Sequence, residues 1–276
     1  MRIGFIGAGN MAQAIIRGML DRNFSGADDI LATDKDEDTL RRVCATYGIR
    51  SRSSNEELVA DVEVVVVAVK PNQFGGALPP LRTIVRERRP LLLSIAAGVT
   101  LDTLDALLEG RGELPLIRVM PNVNAQIGRS MSALCGNAAA APEHLVWAES
   151  LFATLGRTLR LEEALFAAFS AVACASPAFA FMFIEGLARG GLKAGLNKRE
   201  AVLAAAQAVL GSASLVLESG QAPCLLADTV CSPGGTTIAG VAELEDRGFT
   251  AALMRAVEAT VNRDKELQGQ GCTAQK

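Results

Sequence analysis

The residues best placed to do chemistry open the chain. Gly7-x-Gly9-x-x-Ala12 follows a short apolar run at residues 2–6 and leads into Met11, Ile15, Ile16, Met19 and Leu20, which recur at helical spacing. A glycine turn between a strand and a helix is the setting that the dinucleotide fingerprint requires. Gly7 permits the tight turn, Gly9 lets a pyrophosphate approach the backbone, and Ala12 is small enough for the helix to pack on the sheet. The helix N-terminus at Asn10 and Met11 adds free N–H groups and a partial positive charge for phosphates. Asp34 ends the next strand, where an acidic side chain accepts hydrogen bonds from the adenosine ribose, which favours NADH. Lys35 follows directly and can pair with a 2′-phosphate, which favours NADPH, so both cofactors stay open.

The elements that must position these residues alternate in type. Residues 30–33, 62–69, 91–95 and 116–120 are strand-like, and 62–69 is almost purely β-branched, as a parallel strand covered on both faces demands. Residues 38–47 and 101–108 are helical, and Ser54 with Glu57 has the form of a capping box. The alternation predicts an α/β fold with a Rossmann-type, doubly wound parallel sheet over residues 1–160. After residue 120 only 131–134 is a candidate strand. Long alanine-rich helices at 162–194, 198–219 and 249–267 then predict an all-α C-terminal half over 161–276, with a stop and restart at 195–197.

Composition narrows the class. The chain has 276 residues, a net charge of −3 and no basic stripe, which leaves nucleic-acid binding without a footing. Its single histidine, His144, argues against a His-rich metal site or a His-dependent triad. Cys44, Cys135, Cys174, Cys224, Cys231 and Cys272 form no CxxC pair, and residues 2–6 are strand-like where a secretory leader would be basic then apolar. A reduced, cytoplasmic protein is expected. Residues 165–184 carry no charge and are long enough to span a bilayer, but Ser170, Ser176 and Pro177 interrupt them and no second span accompanies them. A central helix buried between subunits, and hence a homo-oligomer without a membrane partner, is the expectation.

Four local patterns together resemble the pyrroline-5-carboxylate reductase family. They are Gly7-Ala8-Gly9-Asn10-Met11-Ala12; Val66-Val67-Ala68-Val69-Lys70-Pro71, with Asn55 upstream; Ser94-Ile95-Ala96-Ala97-Gly98 followed by Arg118-Val119-Met120-Pro121-Asn122; and the run from Asp228 to Gly240 that contains Cys231-Ser232-Pro233-Gly234-Gly235-Thr236-Thr237. The fourth is the most specific, and together they span nearly the whole chain. The resemblance implies reduction of 1-pyrroline-5-carboxylate to L-proline, the last step of proline biosynthesis, by hydride transfer from NADPH or NADH to a cyclic imine. It implies cofactor contacts at Gly7, Gly9, Asn10, Met11, Ala12, Asn55, Ala68, Val69, Lys70, Pro71, Ala96, Ala97 and Gly98, beside Asp34 and Lys35. It places the substrate carboxylate against the turn of a helical dimer partner at Ser232, Gly234, Gly235, Thr236 and Thr237, where backbone N–H groups form an anion nest and hydroxyls add donors. It assigns Ser170 a part in proton delivery and interlocks the helical halves as dimers, sometimes in larger rings.

The chain also departs from the family. Where Ser-Gly-Ser-Gly-Pro-Ala-Tyr is expected, it has Ala173-Cys174-Ala175-Ser176-Pro177-Ala178-Phe179, and the usual Thr-Pro after Met-Pro-Asn is Val123-Asn124. These changes fall where the substrate would meet the nicotinamide. They leave open a different cyclic imino acid or a catalytically inactive nucleotide-binding relative. A β-hydroxy-acid dehydrogenase would need a lysine in the central helix, and the nearest is Lys193 at its end.

Overall fold

The computed structural model describes residues 1–270 and side chains as far as Glu266, so Cys272 lies outside the described residues. Eight strands form one sheet: β1 (Ile3–Ile6), β2 (Ile30–Thr33), β3 (Arg50–Ser51), β4 (Val64–Val67), β5 (Leu91–Ser94), β6 (Leu116–Met120), β7 (Ser130–Gly136) and β8 (Gly156–Arg160). Their spatial order is β3-β2-β1-β4-β5-β6-β7-β8. Pairing is parallel from β3 to β6, antiparallel between β6 and β7, and parallel again between β7 and β8. Helices α1 (Asn10–Asp21), α2 (Glu37–Tyr47), α3 (Asn55–Asp61), α4 (Phe74–Ala77), α5 (Arg82–Arg88), α6 (Leu101–Leu108) and α7 (Pro142–Ala153) lie between strands. After β8 come α8 (Phe166–Phe169), a π turn (Ser170–Ala175), α9 (Ser176–Lys193), α10 (Lys198–Ser219), α11 (Pro223–Val230), α12 (Thr236–Asp246) and α13 (Phe249–Gln270). The chain divides into two compact units, one of Met1–Cys174 with the stretch beginning at Thr260, the other of Ala175–Ala259.

The sheet is buried on both faces because successive side chains of each strand point to opposite layers. Val64 and Val66 of β4 pack with Ile15, Ile16 and Phe152 on one face; Val65 and Val67 pack with Leu58, Val85 and Phe166 on the other. In the second unit α9 and α10 pack on each other, and Glu185 accepts ion-paired bonds from Lys198 at 2.7 Å and Arg189 at 2.8 Å. Gly195 at φ +104° ends the first of them, and Asn197 Oδ1 caps the second by accepting the Glu200 N–H at 2.9 Å.

The candidate strand at 131–134 lies within β7, and β8 adds a strand that the sequence did not signal, because it carries Arg157 and Arg160 at an exposed edge, where charge is the rule and alternation is weak. Two expectations need correction. The helix expected from residue 162 is broken by the π turn. Pro177 lacks the N–H that an α-helix would direct to the Ala173 carbonyl, so a regular α-ladder cannot run through this point. The absence of a second span-like helix also fails, because α10 is as span-like by length and composition as Glu163–Lys193. The Ser54–Glu57 box is half formed: Ser54 Oγ accepts the Glu57 N–H at 3.2 Å, while the Glu57 carboxylate turns to Ser53.

Candidate active site

The strand order reverses direction between β1 and β4, and the loops at their carboxyl ends meet there. The Gly7 N–H donates to the Thr33 carbonyl at 2.8 Å, and the Ala68 N–H donates to the Ile6 carbonyl at 2.8 Å. Gly7 has φ +99°, and a Cβ there would lie 3.0 Å from Ala68 backbone atoms and from Val69 Cγ1. Only glycine satisfies both the left-handed backbone and that approach. Gly9 is different. It is the N-cap of α1 with ordinary φ, no side-chain cap and no acidic residue in the first helical turn, and a Cβ there would meet nothing within 4 Å. Elsewhere in this unit Asp36, Ser54 and Thr100 cap their own helices. The N–H groups that open α1 are thus left to an anion from outside, in space that glycine keeps clear. This cradle fits a dinucleotide pyrophosphate.

Asp34, half-buried at the end of β2, accepts the Ala8 N–H on Oδ2 at 2.7 Å and the Asp36 N–H on Oδ1 at 2.9 Å. Its carboxylate is therefore fixed against the glycine loop. Lys35 is exposed and makes no ion pair among the described residues. Thr33 Oγ1 donates to Asn55 Oδ1 at 2.6 Å, and the amide nitrogen of Asn55 has no partner among the described residues. The Lys70 N–H is held by Gln73 Oε1 at 3.1 Å, with Pro71 starting a short 3-10 turn. After β5, Ala96 is buried, Ala97 is exposed and Gly98 turns with φ +75°. Gly7, Gly9, Asn10, Met11, Ala12, Asp34, Lys35, Ala68, Val69, Lys70, Pro71, Ala96, Ala97 and Gly98 all follow the carboxyl ends of β1, β2, β4 and β5, and Asn55, which opens α3 after β3, joins them through Thr33.

Ser170 begins the π turn. It is half-buried, and its hydroxyl makes no hydrogen bond among the described residues, not even to its own helix. Cys174 Sγ donates to the Pro121 carbonyl at 3.6 Å, and burial, reinforced by the Asp264 carboxylate, pushes its thiol pKa up to about 11. That thiol stays protonated and serves as a donor.

In the second unit, residues 232–237 form a tight turn in which the Gly235 N–H donates to the Ser232 carbonyl at 3.0 Å and Gly234 has φ +67°. A Cβ on Gly235 would lie 2.3 Å from Ser232 Oγ, so any other residue there would displace the Ser232 hydroxyl. Gly235 is the N-cap of α12, again with no side-chain cap and no acidic residue in the first turn. Ser232, Thr236 and Thr237 are exposed, with hydroxyls that make no hydrogen bond among the described residues. Two helices, α1 and α12, thus start on an uncapped glycine.

Three residues absent from the sequence-derived site list also matter. Arg118 of β6 is 1% exposed; its Nη1 donates to Glu163 Oε1 at 3.0 Å, and its guanidinium carbon sits 4.6 Å from the Phe166 ring centroid. Glu163 Oε1 also accepts the Leu101 N–H at 2.9 Å, joining β6, the start of α6 and the segment before α8. Asn122, 6% exposed, donates from Nδ2 to the Ala173 carbonyl at 2.8 Å. An arginine inside an otherwise apolar strand, and a proline inside a helical run, were the signals that could have found them.

Comparison with known proteins now bears on this geometry. Residues 2–98 match the family described as NADP oxidoreductase, coenzyme F420-dependent, and residues 163–267 match pyrroline-5-carboxylate reductase dimerisation. A pyrroline-5-carboxylate reductase of Methanosarcina acetivorans is 38% identical over 267 residues, 96% of this chain and 97% of that protein. The chain belongs to the pyrroline-5-carboxylate reductase family. A reductase of that name from Coxiella burnetii superposes with a TM-score of 0.90 at 31% identity, over 96% of this chain and 98% of that one. The Plasmodium falciparum pyrroline carboxylate reductase, solved with NADP bound, gives a TM-score of 0.85 at 27% identity over 97% and 98%. In this pyrroline-5-carboxylate reductase family member the glycine fingerprint opens α1, the Lys70-Pro71 motif follows β4, and the glycine turn opens α12.

Proposed function

We propose that this protein reduces 1-pyrroline-5-carboxylate to proline at the expense of NADH or NADPH. The observation that carries the reading is the 38% identity to a reductase of that name over 96% of this chain. The dinucleotide, when bound, supplies the hydride. Gly7, Gly9 and the opening N–H groups of α1 hold its pyrophosphate, Asp34 meets the adenosine ribose, and the loops at 68–71 and 96–98 line the remainder. Backbone N–H groups that open α12 after Gly235, with the hydroxyls of Ser232, Thr236 and Thr237, hold the substrate carboxylate. The hydroxyl of Ser170, which has no partner among the described residues, keeps a proton near the imine nitrogen. A protonated imine is already electrophilic, so these residues contribute chiefly by orienting the reacting carbon. Residues 1–160 serve as the dinucleotide half and 161–276 as the substrate and dimerisation half.

The same reading covers the exposed apolar side chains of the second unit. Phe181 and Met182 of α9 are 62% and 74% exposed in the single chain, and Leu203 of α10 is 68% exposed. Both helices lie inside the stretch that matches the dimerisation family, so a homodimer interface, not a bilayer, covers them. The five described cysteines are free thiols, in keeping with a cytoplasmic enzyme.

Two substitutions test the assignments. Thr237→Ala should raise the KM for the imine by about tenfold, the loss of one charge-assisted hydrogen bond, and leave the dinucleotide KM unchanged. An unchanged imine KM would remove the carboxylate from this turn. Asp34 also orders the cofactors: a fixed carboxylate repels a 2′-phosphate, so NADH is the better substrate. Steady-state kinetics of Asp34→Ser should show the NADPH-to-NADH ratio of kcat/KM rising about tenfold, and a ratio that stays put would sink this reading.

A further inference from the structure

We propose that Asn122 is a positioning residue for the reaction, holding the π turn that carries Ser170 at the carboxyl edge of the sheet. The inference rests on the reductase reading above and adds to it the residue that fixes one wall of the site.

The chain creates an orphan that Asn122 satisfies. In an α-helix the carbonyl of residue 173 receives the N–H of residue 177, and here that residue is Pro177, which has none. Asn122 Nδ2 reaches that same carbonyl across 51 residues of sequence, at 2.8 Å. The other end of the amide is also committed, since Oδ1 accepts the Asn124 N–H at 3.1 Å. The backbone N–H of Asn122 donates to Ser130 Oγ at 3.2 Å. With donor and acceptor both engaged and the side chain buried, the orientation of the amide is fixed, and with it the height of the Ala173 carbonyl. Next to it, the Pro121 carbonyl takes the Cys174 thiol. Two consecutive residues of one turn therefore hold two consecutive residues of the π turn.

The placement gives this clamp a part in the chemistry. Asn122 follows the carboxyl end of β6, and β6 pairs in parallel with β5, whose carboxyl end leads into Ala96, Ala97 and Gly98. Phe169, the residue before Ser170, shares a core cluster with Ala96, and Ala173 and Cys174 pack against that cluster. Arg118, four residues earlier on β6, pins the other end of the segment through Glu163. A π turn anchored at both ends has one register, and Ser170 lies between the anchors. Such turns are frequent at functional sites.

The test compares the full-length protein with Asn122→Asp and Asn122→Ser. Aspartate keeps the acceptor for Asn124 but sets a carboxylate oxygen against the Ala173 carbonyl. Serine donates to one partner and cannot serve both. With 1-pyrroline-5-carboxylate as substrate, kcat should fall roughly 10- to 100-fold in N122D and less in N122S, while dinucleotide affinity stays within about twofold. Amide hydrogen exchange across residues 170–175 should quicken by about tenfold or more in N122D. A folded N122D with parental kcat overturns the proposal, as does unchanged exchange in the π turn. A parent that binds dinucleotide but leaves the imine untouched would refute the reductase reading instead, and the exchange comparison would still decide whether Asn122 holds the turn.

Discussion

A Gly9→Asp variant should fold at least as stably as the parent and yet lose about 100-fold in affinity for the dinucleotide. Stability and binding part company because of where Gly9 sits. Its φ of −71° is open to any residue, and a Cβ meets nothing within 4 Å, so the substitution brings no strain. As an N-cap, aspartate is slightly better than glycine, and its charge suits the helix N-terminus. The same carboxylate takes up the N–H groups that open α1 and sets negative charge where the pyrophosphate must lie. Forfeiting one or two charge-assisted hydrogen bonds at about 1.5–3 kcal/mol each gives the 100-fold figure. Thermal denaturation and fluorescence titration with NADH check the two halves separately. A variant that loses stability and affinity together would mean that Gly9 is needed by the fold and not by the ligand.

The second large effect is one of stability, at the Arg118–Glu163 pair. Glu163→Ala should cost about 3–5 kcal/mol, whereas Arg118→Met should cost little or even stabilise. Arg118 is a charge inside the core whose Nε and Nη2 are buried without a hydrogen-bond partner among the described residues, so Glu163 carries most of its compensation, aided by the Phe166 ring. Removing the carboxylate strands the guanidinium and also leaves the Leu101 N–H without its acceptor. Removing the guanidinium instead leaves a glutamate with access to water, since its side chain is 29% exposed. Urea unfolding midpoints of the two variants should therefore differ widely. Equal losses would show that the pair is held by packing and not by compensation of charge.

What the residue pattern reveals depends on how local the cause is. The valine run of β4 is legible because burial on both faces leaves no polar position in it. The Gly7–Gly9 turn is legible because strand, glycines and helix are contiguous in sequence, although the backbone that crowds Gly7, at Ala68, lies far along the chain. The edge strands β3 and β8 are exposed and polar, so nothing in their composition separates them from loops. The π turn escapes for a different reason: its proline is visible, but the partner that makes the break tolerable, Asn122, sits 51 residues away. Asp34 lies between these cases. Its position at the end of β2 marks it for the ribose, whereas its bond to the Ala8 N–H, 26 residues back, emerges only in the fold.

The most direct test mixes the purified protein with 1-pyrroline-5-carboxylate and follows oxidation of NADH and NADPH in separate reactions, with proline measured at the end. The expected result is oxidation of both, faster with NADH, with proline appearing in proportion to the dinucleotide consumed. Bound dinucleotide that neither cofactor assay sees oxidised, with no proline formed, would contradict the account and turn attention to the altered segment from Ala173 to Phe179.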